Sequence, residues 1–129
     1  MGQPAAKQGD QVTAVDNHFV QTPPGPVLLL PHPFTGVLSG GLSSDVKISG
    51  RPAATVGSTA DNTPPHVPTA PGTGFQRPPS NKGMVQVGSP TVMINGKPAA
   101  RNGDKVLTCN DPADLPTGTV IATGTVLIG

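Results

Sequence analysis

The feature that most constrains this chain is an internal repeat. Val46-Lys47-Ile48-Ser49-Gly50-Arg51-Pro52-Ala53-Ala54-Thr55-Val56-Gly57-Ser58 aligns without gaps with Val92-Met93-Ile94-Asn95-Gly96-Lys97-Pro98-Ala99-Ala100-Arg101-Asn102-Gly103-Asp104. The shared pattern, V-x-I-[SN]-G-[RK]-P-A-A-x-x-G-[SD], marks a repeated structural unit. Gly2-Gln3-Pro4-Ala5-Ala6-Lys7-Gln8-Gly9-Asp10 is the second half of a further copy, and Thr125-Val126-Leu127-Ile128-Gly129 supplies the strand missing from its first half. Three copies, one of them split between the chain ends, predict that the two ends pair and that the chain closes a ring.

Each copy reads as a hairpin. Val-x-Ile alternates with a period of two, Ser49-Gly50 or Asn95-Gly96 signals a type I′ turn, and the proline opens a second short strand. The Ala-Ala pair lets neighbouring backbones crowd, and the glycine followed by Asp or Ser ends the strand in a turn. On this reading Asp10, Asp61 and Asp104 serve turns. Composition agrees with strands and excludes long helices: the sequence has no Glu, 17 Pro and 17 Gly, against 14 Val and 14 Thr. Leu, Ile, Val and Phe number 29, enough for a thin core in one domain spanning residues 1–129. The expected fold is all-β, a small cone of short hairpins with pseudo-threefold symmetry, few or no helices and long irregular arms. Those arms run from Gln11 to Asp45, Thr59 to Thr91 and Lys105 to Thr125, with short docked strands at Val27 to Leu30, Met84 to Val87 and Val106 to Thr108.

Several function classes drop out. Charged residues make up 12% of the chain, the net charge is +1, and Trp and Tyr are absent, so neither a phosphate-binding surface nor a base-stacking platform is expected. Gly96-Lys97 is followed by Pro98 rather than Ser or Thr, and Gly72-Thr73-Gly74 lacks the third glycine of a dinucleotide fingerprint. The start Met1-Gly2-Gln3-Pro4 has no signal-peptide apolar region, so synthesis in the cytoplasm is expected, with any export by a route that reads no cleavable leader.

Soft and borderline metal ligands are few, and they fall in phase with the repeats. His18 lies 14 residues beyond Pro4, His66 lies 14 beyond Pro52, and Cys109 lies 11 beyond Pro98, while His32 sits 14 after His18 in the longest arm. Threefold geometry brings equivalent arm positions to the axis, so His18, His32, His66 and Cys109 form a candidate tetrahedral His3Cys set suited to one structural Zn²⁺ per chain. Iron accepts the same donors. With one thiolate and three neutral imidazoles the site carries +1 and calls for no nearby carboxylate. The flanks Pro31-His32-Pro33 and Pro65-His66-Val67-Pro68 limit backbone freedom before a metal arrives. A single cysteine forms no internal disulfide, which leaves the metal as the staple a short, proline-laden chain needs.

Lys97-Pro98-Ala99-Ala100-Arg101-Asn102-Gly103-Asp104 spells Pro-Ala-Ala-Arg, and through it the whole chain resembles the PAAR-repeat proteins. Thr55 and Lys7 replace the arginine in the other two copies. The resemblance implies a small β-rich cone that caps the trimeric VgrG-like spike of type VI secretion systems and related contractile injection systems. It also implies zinc near the cone apex, held by three His and one Cys, with His18, His32, His66 and Cys109 the candidates. At this length, no appended toxin domain of the kind some relatives carry is expected within the chain.

The expected role is a structural tip rather than an enzyme. It would bind the spike through the hairpins, with Val46, Ile48, Pro52, Ala53, Val92, Ile94, Pro98, Ala99, Pro4, Ala5, Val126 and Ile128 as the contact set, including a segment that begins at Met1. It would help pierce a target membrane and be expelled with the spike, with effector proteins as possible further partners. Two other readings stay open: an adaptor that loads effectors onto the spike, and a zinc hydrolase using Cys109 or His32. Catalytic zinc keeps one coordination position for water, so the ligand count separates the hydrolase from the staple.

Overall fold

A computed structural model describes residues 2–23, 25 and 27–129. Met1, Pro24 and Pro26, to which the spike-contact and proline-arm readings extend, lie outside the described residues. The chain forms β1 (Gln3–Pro4), β2 (Gln11–Gln21), β3 (Leu28–Gly40), β4 (Lys47–Ile48) and β5 (Arg51–Pro52). It continues with β6 (Thr59–Asn62), β7 (Gly74–Phe75), β8 (Lys82–Val85), β9 (Met93–Ile94) and β10 (Lys97–Pro98). β11 (Lys105–Thr108), β12 (Leu115–Ile121) and β13 (Leu127–Ile128) complete it. Among the described residues there is no helix, so the fold is all-β as the composition requires.

The repeats build the base. β4 pairs with β5 and β9 with β10, and the third corner is made by the chain ends, with Gln3 opposite Ile128 and Pro4 opposite Leu127. The ring therefore closes as the split repeat predicts. Ser49 and Gly50 have φ of 52° and 81°, and Asn95 and Gly96 have 53° and 77°. Both turns thus need two left-handed residues in succession, which is what Ser-Gly and Asn-Gly supply in a type I′ hairpin.

Threefold symmetry is written most plainly in the backbone hydrogen bonds. Ala6 N–H donates to Ala100 O at 2.9 Å, Ala54 to Ala6 at 3.0 Å and Ala100 to Ala54 at 3.0 Å, a closed cycle of three backbone hydrogen bonds about one axis. All three alanines are fully buried. A larger side chain at these positions would have no space, because three backbones meet there. One turn further on, Gly9, Gly57 and Gly103 adopt φ of 93°, 95° and 89°. Asp10, Ser58 and Asp104 then turn back to accept the N–H of Lys7, Thr55 and Arg101 at 3.0, 2.9 and 2.7 Å. A carboxylate and a hydroxyl do the same work, since each offers an acceptor at the right reach. Asp61, grouped with the turn aspartates from sequence, lies instead in β6, with Oδ1 4.0 Å from Lys82 Nζ.

Above the base each copy sends out one arm and takes it back. The order β2-β3-β6-β8-β11-β12 closes through β12–β2 pairing into a six-stranded antiparallel barrel, with β7 added beside β2. The arms are more regular than their proline content suggests. β3 holds Pro31 and Pro33 within 13 residues of strand. Leu38 N–H bonds Asp10, so the even-numbered residues of β3 point their N–H groups at β2 and the odd-numbered ones point away. β6 covers that other side only from Gly36 onward, so no donor is demanded of either proline.

The interior is layered. Ile48, Ile94 and Ile128 pack with Ala5, Ala53 and Ala99 in the base. Above the alanine cycle, Val12, Phe34, Leu38, Val85, Val106 and Val120 fill the barrel. Along β2 the inward positions run Val12, Ala14, Asp16, His18, so the apolar lining gives way to polar groups toward the end remote from the base.

Candidate metal centre

Period-two alternation aims Asp16 and His18 inward from β2, and pairing sets His32 of β3 directly across from Asp16. His66 comes from the segment between β6 and β7, and Cys109 directly follows β11. The ring centroids of His18, His32 and His66 form a near-equilateral triangle of 5.4, 5.1 and 5.6 Å. Cys109 Sγ lies 3.7 Å from His18 Nε2. All four side chains singled out from the sequence thus meet in one buried cluster at the end of the barrel. Phe75 packs on His18 and His32, with centroids 5.7 and 5.3 Å away, and shields the cluster from one side.

Within the cluster the donors are not equivalent. Ligand atoms of Asp16, His18, His66 and Cys109 all lie within 4.8 Å of one another. His32 stands beside this group with both ring nitrogens engaged. Its Nδ1 is 2.8 Å from Leu30 O, and its Nε2 accepts the Thr69 N–H at 3.1 Å. Asp16 Oδ2 is 2.8 Å from His66 Nε2 and 3.4 Å from Cys109 Sγ, while Oδ1 accepts from Thr108 Oγ1 at 2.5 Å. A buried carboxylate therefore sits where the sequence reading called for none. A sequence signal for it exists, because Asp16 and His18 are two apart in one strand and must share a face.

The distances suit a tetrahedral ion. Bonds of about 2.0 Å to nitrogen and oxygen and about 2.3 Å to sulfur place neighbouring ligands roughly 3.3–3.5 Å apart. Contacts of 2.8, 3.4 and 3.7 Å bracket that spacing. The electrostatics point the same way. Burial pushes the Cys109 thiol up to about 11, with the Asp16 carboxylate adding to the rise. Burial also lowers the His18 and His32 imidazoles, although Asp111 beside His18 and the Leu30 carbonyl beside His32 act in the opposite direction. The cluster thus gathers imidazoles, a thiol and a carboxyl group, a donor set a divalent ion would complete.

Around the donors stands a polar frame that the sequence did not reveal. Asn62 Nδ2 is 3.1 Å from His66 Nδ1, and Asn81 Oδ1 accepts the His66 backbone N–H at 2.8 Å. Asp111 accepts the Phe19 N–H at 2.9 Å and an Arg77 N–H at 2.8 Å. Those bonds hold its carboxyl below the usual range, although burial works against them.

At the other end, the proposed spike-contact residues divide by burial. Ala5, Ala53 and Ala99 are interior, and Ile48, Ile94 and Ile128 are almost so, at 7%, 7% and 6% exposure. Pro4, Pro52, Pro98 and Val92 are half-buried, whereas Val46 and Val126 are exposed. Met93 and Leu127, absent from the sequence-derived set, expose the most apolar surface of these strands, at 59% and 60%.

A triplicated hairpin base, a closed barrel and a buried cluster of metal-type donors define a small all-β protein with a repeated end and an unlike one. The PAAR motif family matches residues 75–129, the stretch that holds the β9–β10 hairpin and the barrel strands β8, β11 and β12. No curated protein matches the chain. The family match supports a PAAR-repeat protein, and PAAR proteins are structural spike tips of contractile injection systems.

Proposed function

We propose that this protein is a zinc-stapled cap on a trimeric VgrG-like spike. The observation that carries the reading is the division of the molecule into a base of three equivalent hairpins and a far end where unlike donors converge. A threefold base matches a threefold partner, while one chain can still bring four different side chains to one point. Val46, Met93, Val126 and Leu127 supply apolar surface at the base for the spike to cover. Zinc would be held by His18, His66 and Cys109 with a fourth protein ligand. His32 is the first choice, because its Nδ1 bond to Leu30 O leaves an Nε2 lone pair that a metal could take from the Thr69 N–H. Asp16 is the alternative, favoured by its place within the 4.8 Å group.

Bound metal would cross-link β2, β3, β11 and the His66 segment, so that thrust from a contracting sheath reaches a target membrane without splaying the end. The protein would be made in the cytoplasm, assembled on the spike and expelled with it, with or without an effector. Co-purification tests the cap. Wild-type protein should retain the trimeric spike, and Met93→Asp combined with Leu127→Asp should release it while leaving metal content unchanged. Retention of a toxin but not the spike would favour the effector-adaptor reading instead.

A further inference from the structure

We infer that Asp111, anchored by Arg77, is a positioning residue for the metal centre that fixes the tautomer and orientation of His18. Among the described residues, His18 Nδ1 is the only buried side-chain nitrogen or oxygen without a hydrogen-bond partner. The residue is 1% exposed, so bulk solvent does not reach that nitrogen. Its charged neighbour is Asp111 Oδ2 at 3.4 Å, a contact that does not form a hydrogen bond in this arrangement. The other nitrogen, Nε2, faces Cys109 Sγ within the donor group. An unpaired buried imidazole nitrogen is costly, and the arrangement has an evident resolution. A cation on Nε2 fixes the proton on Nδ1 and makes that N–H a stronger donor, and the Asp111 carboxylate waits 3.4 Å away.

Asp111 is well placed to hold still while this happens. Its Oδ2 already accepts the Phe19 N–H, and Phe19 is the residue after His18, so carboxylate and imidazole are referenced to the same stretch of β2. Its Oδ1 and the neighbouring Asn110 carbonyl both accept from Arg77 Nη2, at 2.8 and 2.9 Å. Arg77, Asp111 and His18 thus form a chain from the surface to the donor group. Carboxylates that orient a metal-bound imidazole in this way raise its basicity, and their loss typically costs about 10–100-fold in metal affinity.

The inference rests on the metal reading, and zinc competition against a chelator separates the two. If wild-type protein takes up no zinc, the metal reading fails. If wild-type protein binds zinc and Asp111→Asn binds it equally well, only the role of Asp111 fails. We expect Asp111→Asn to weaken zinc binding by about 10–100-fold. We also expect a slowly exchanging, strongly downfield His18 Nδ1 proton in the zinc-loaded wild type and its loss in the variant, a signature that a purely packing role for Asp111 would not produce. Should Asp111→Asn fail to fold, Arg77→Met carries the test, because its side chain is 56% exposed and its removal leaves the buried carboxylate in place. A severalfold loss of zinc affinity is expected there, and an unchanged affinity would overturn the inference.

Discussion

The base and the far end of this barrel are held together by different means. The base repeats one device three times: a backbone bond between alanines, a left-handed glycine, and an Asp or Ser that caps its own turn. Its stability is spread over equivalent local bonds, so no single side chain dominates. The far end has no such redundancy. Asp16 and His18 come from β2, and His32, His66 and Cys109 each come from a different segment, with contacts that are not repeated round an axis. On the cap reading, symmetry would suit a surface that meets a threefold partner, and its loss would suit an end that places unlike donors round one ion.

The largest effect should come from breaking the asymmetric end. Chelation of zinc, or Cys109→Ser, should take the metal content from about one per chain to near zero. The melting temperature should then fall by on the order of 10 °C or more, as calorimetry would read it. Next in size is the axis of the base. Ala54→Leu forces a bulky side chain into the alanine cycle and should cost about 1–3 kcal/mol in a denaturant titration, with or without metal. Loss of the metal-independent part of that penalty would show that the two regions are not separable.

Mild acid should act on the far end. Burial holds the folded-state pKa of His18 and His32 below the ordinary 6.5. The metal-free fold should therefore keep their full contribution above pH 6.5 and lose it as pH falls below that value toward the depressed folded values. A stability profile of metal-free protein that rises on acidification through this range would contradict the sign. The smallest effects should be the most alike. Asp10→Ala, Ser58→Ala and Asp104→Ala should each cost about 1 kcal/mol, and their near equality is the thermodynamic mark of the threefold base.

The same division explains what could be read from the sequence. Turn and crowding rules act over a few residues, so Ser49-Gly50, Asn95-Gly96 and the Ala-Ala pairs announced the base, and the split copy announced the closed ring. The four His and Cys candidates were found by their phase after the repeats, which is a long-range signal but a periodic one. Asp111 carried no such signal and Asp16 only its spacing from His18, because aspartate is common and their partners lie 34 to 94 residues away in sequence. The regular arms were hidden for a different reason. Proline argues against strand unless its missing donor faces an unpaired edge, and only the register of β3 against β2 and β6 shows that Pro31 and Pro33 do so.

The cap reading is tested most directly by the mass of the complex with a trimeric spike in native mass spectrometry. A single copy of this protein on three spike chains is the expected result, since one chain already supplies all three corners of the base. Three copies on three spike chains, or no complex at all, would contradict it.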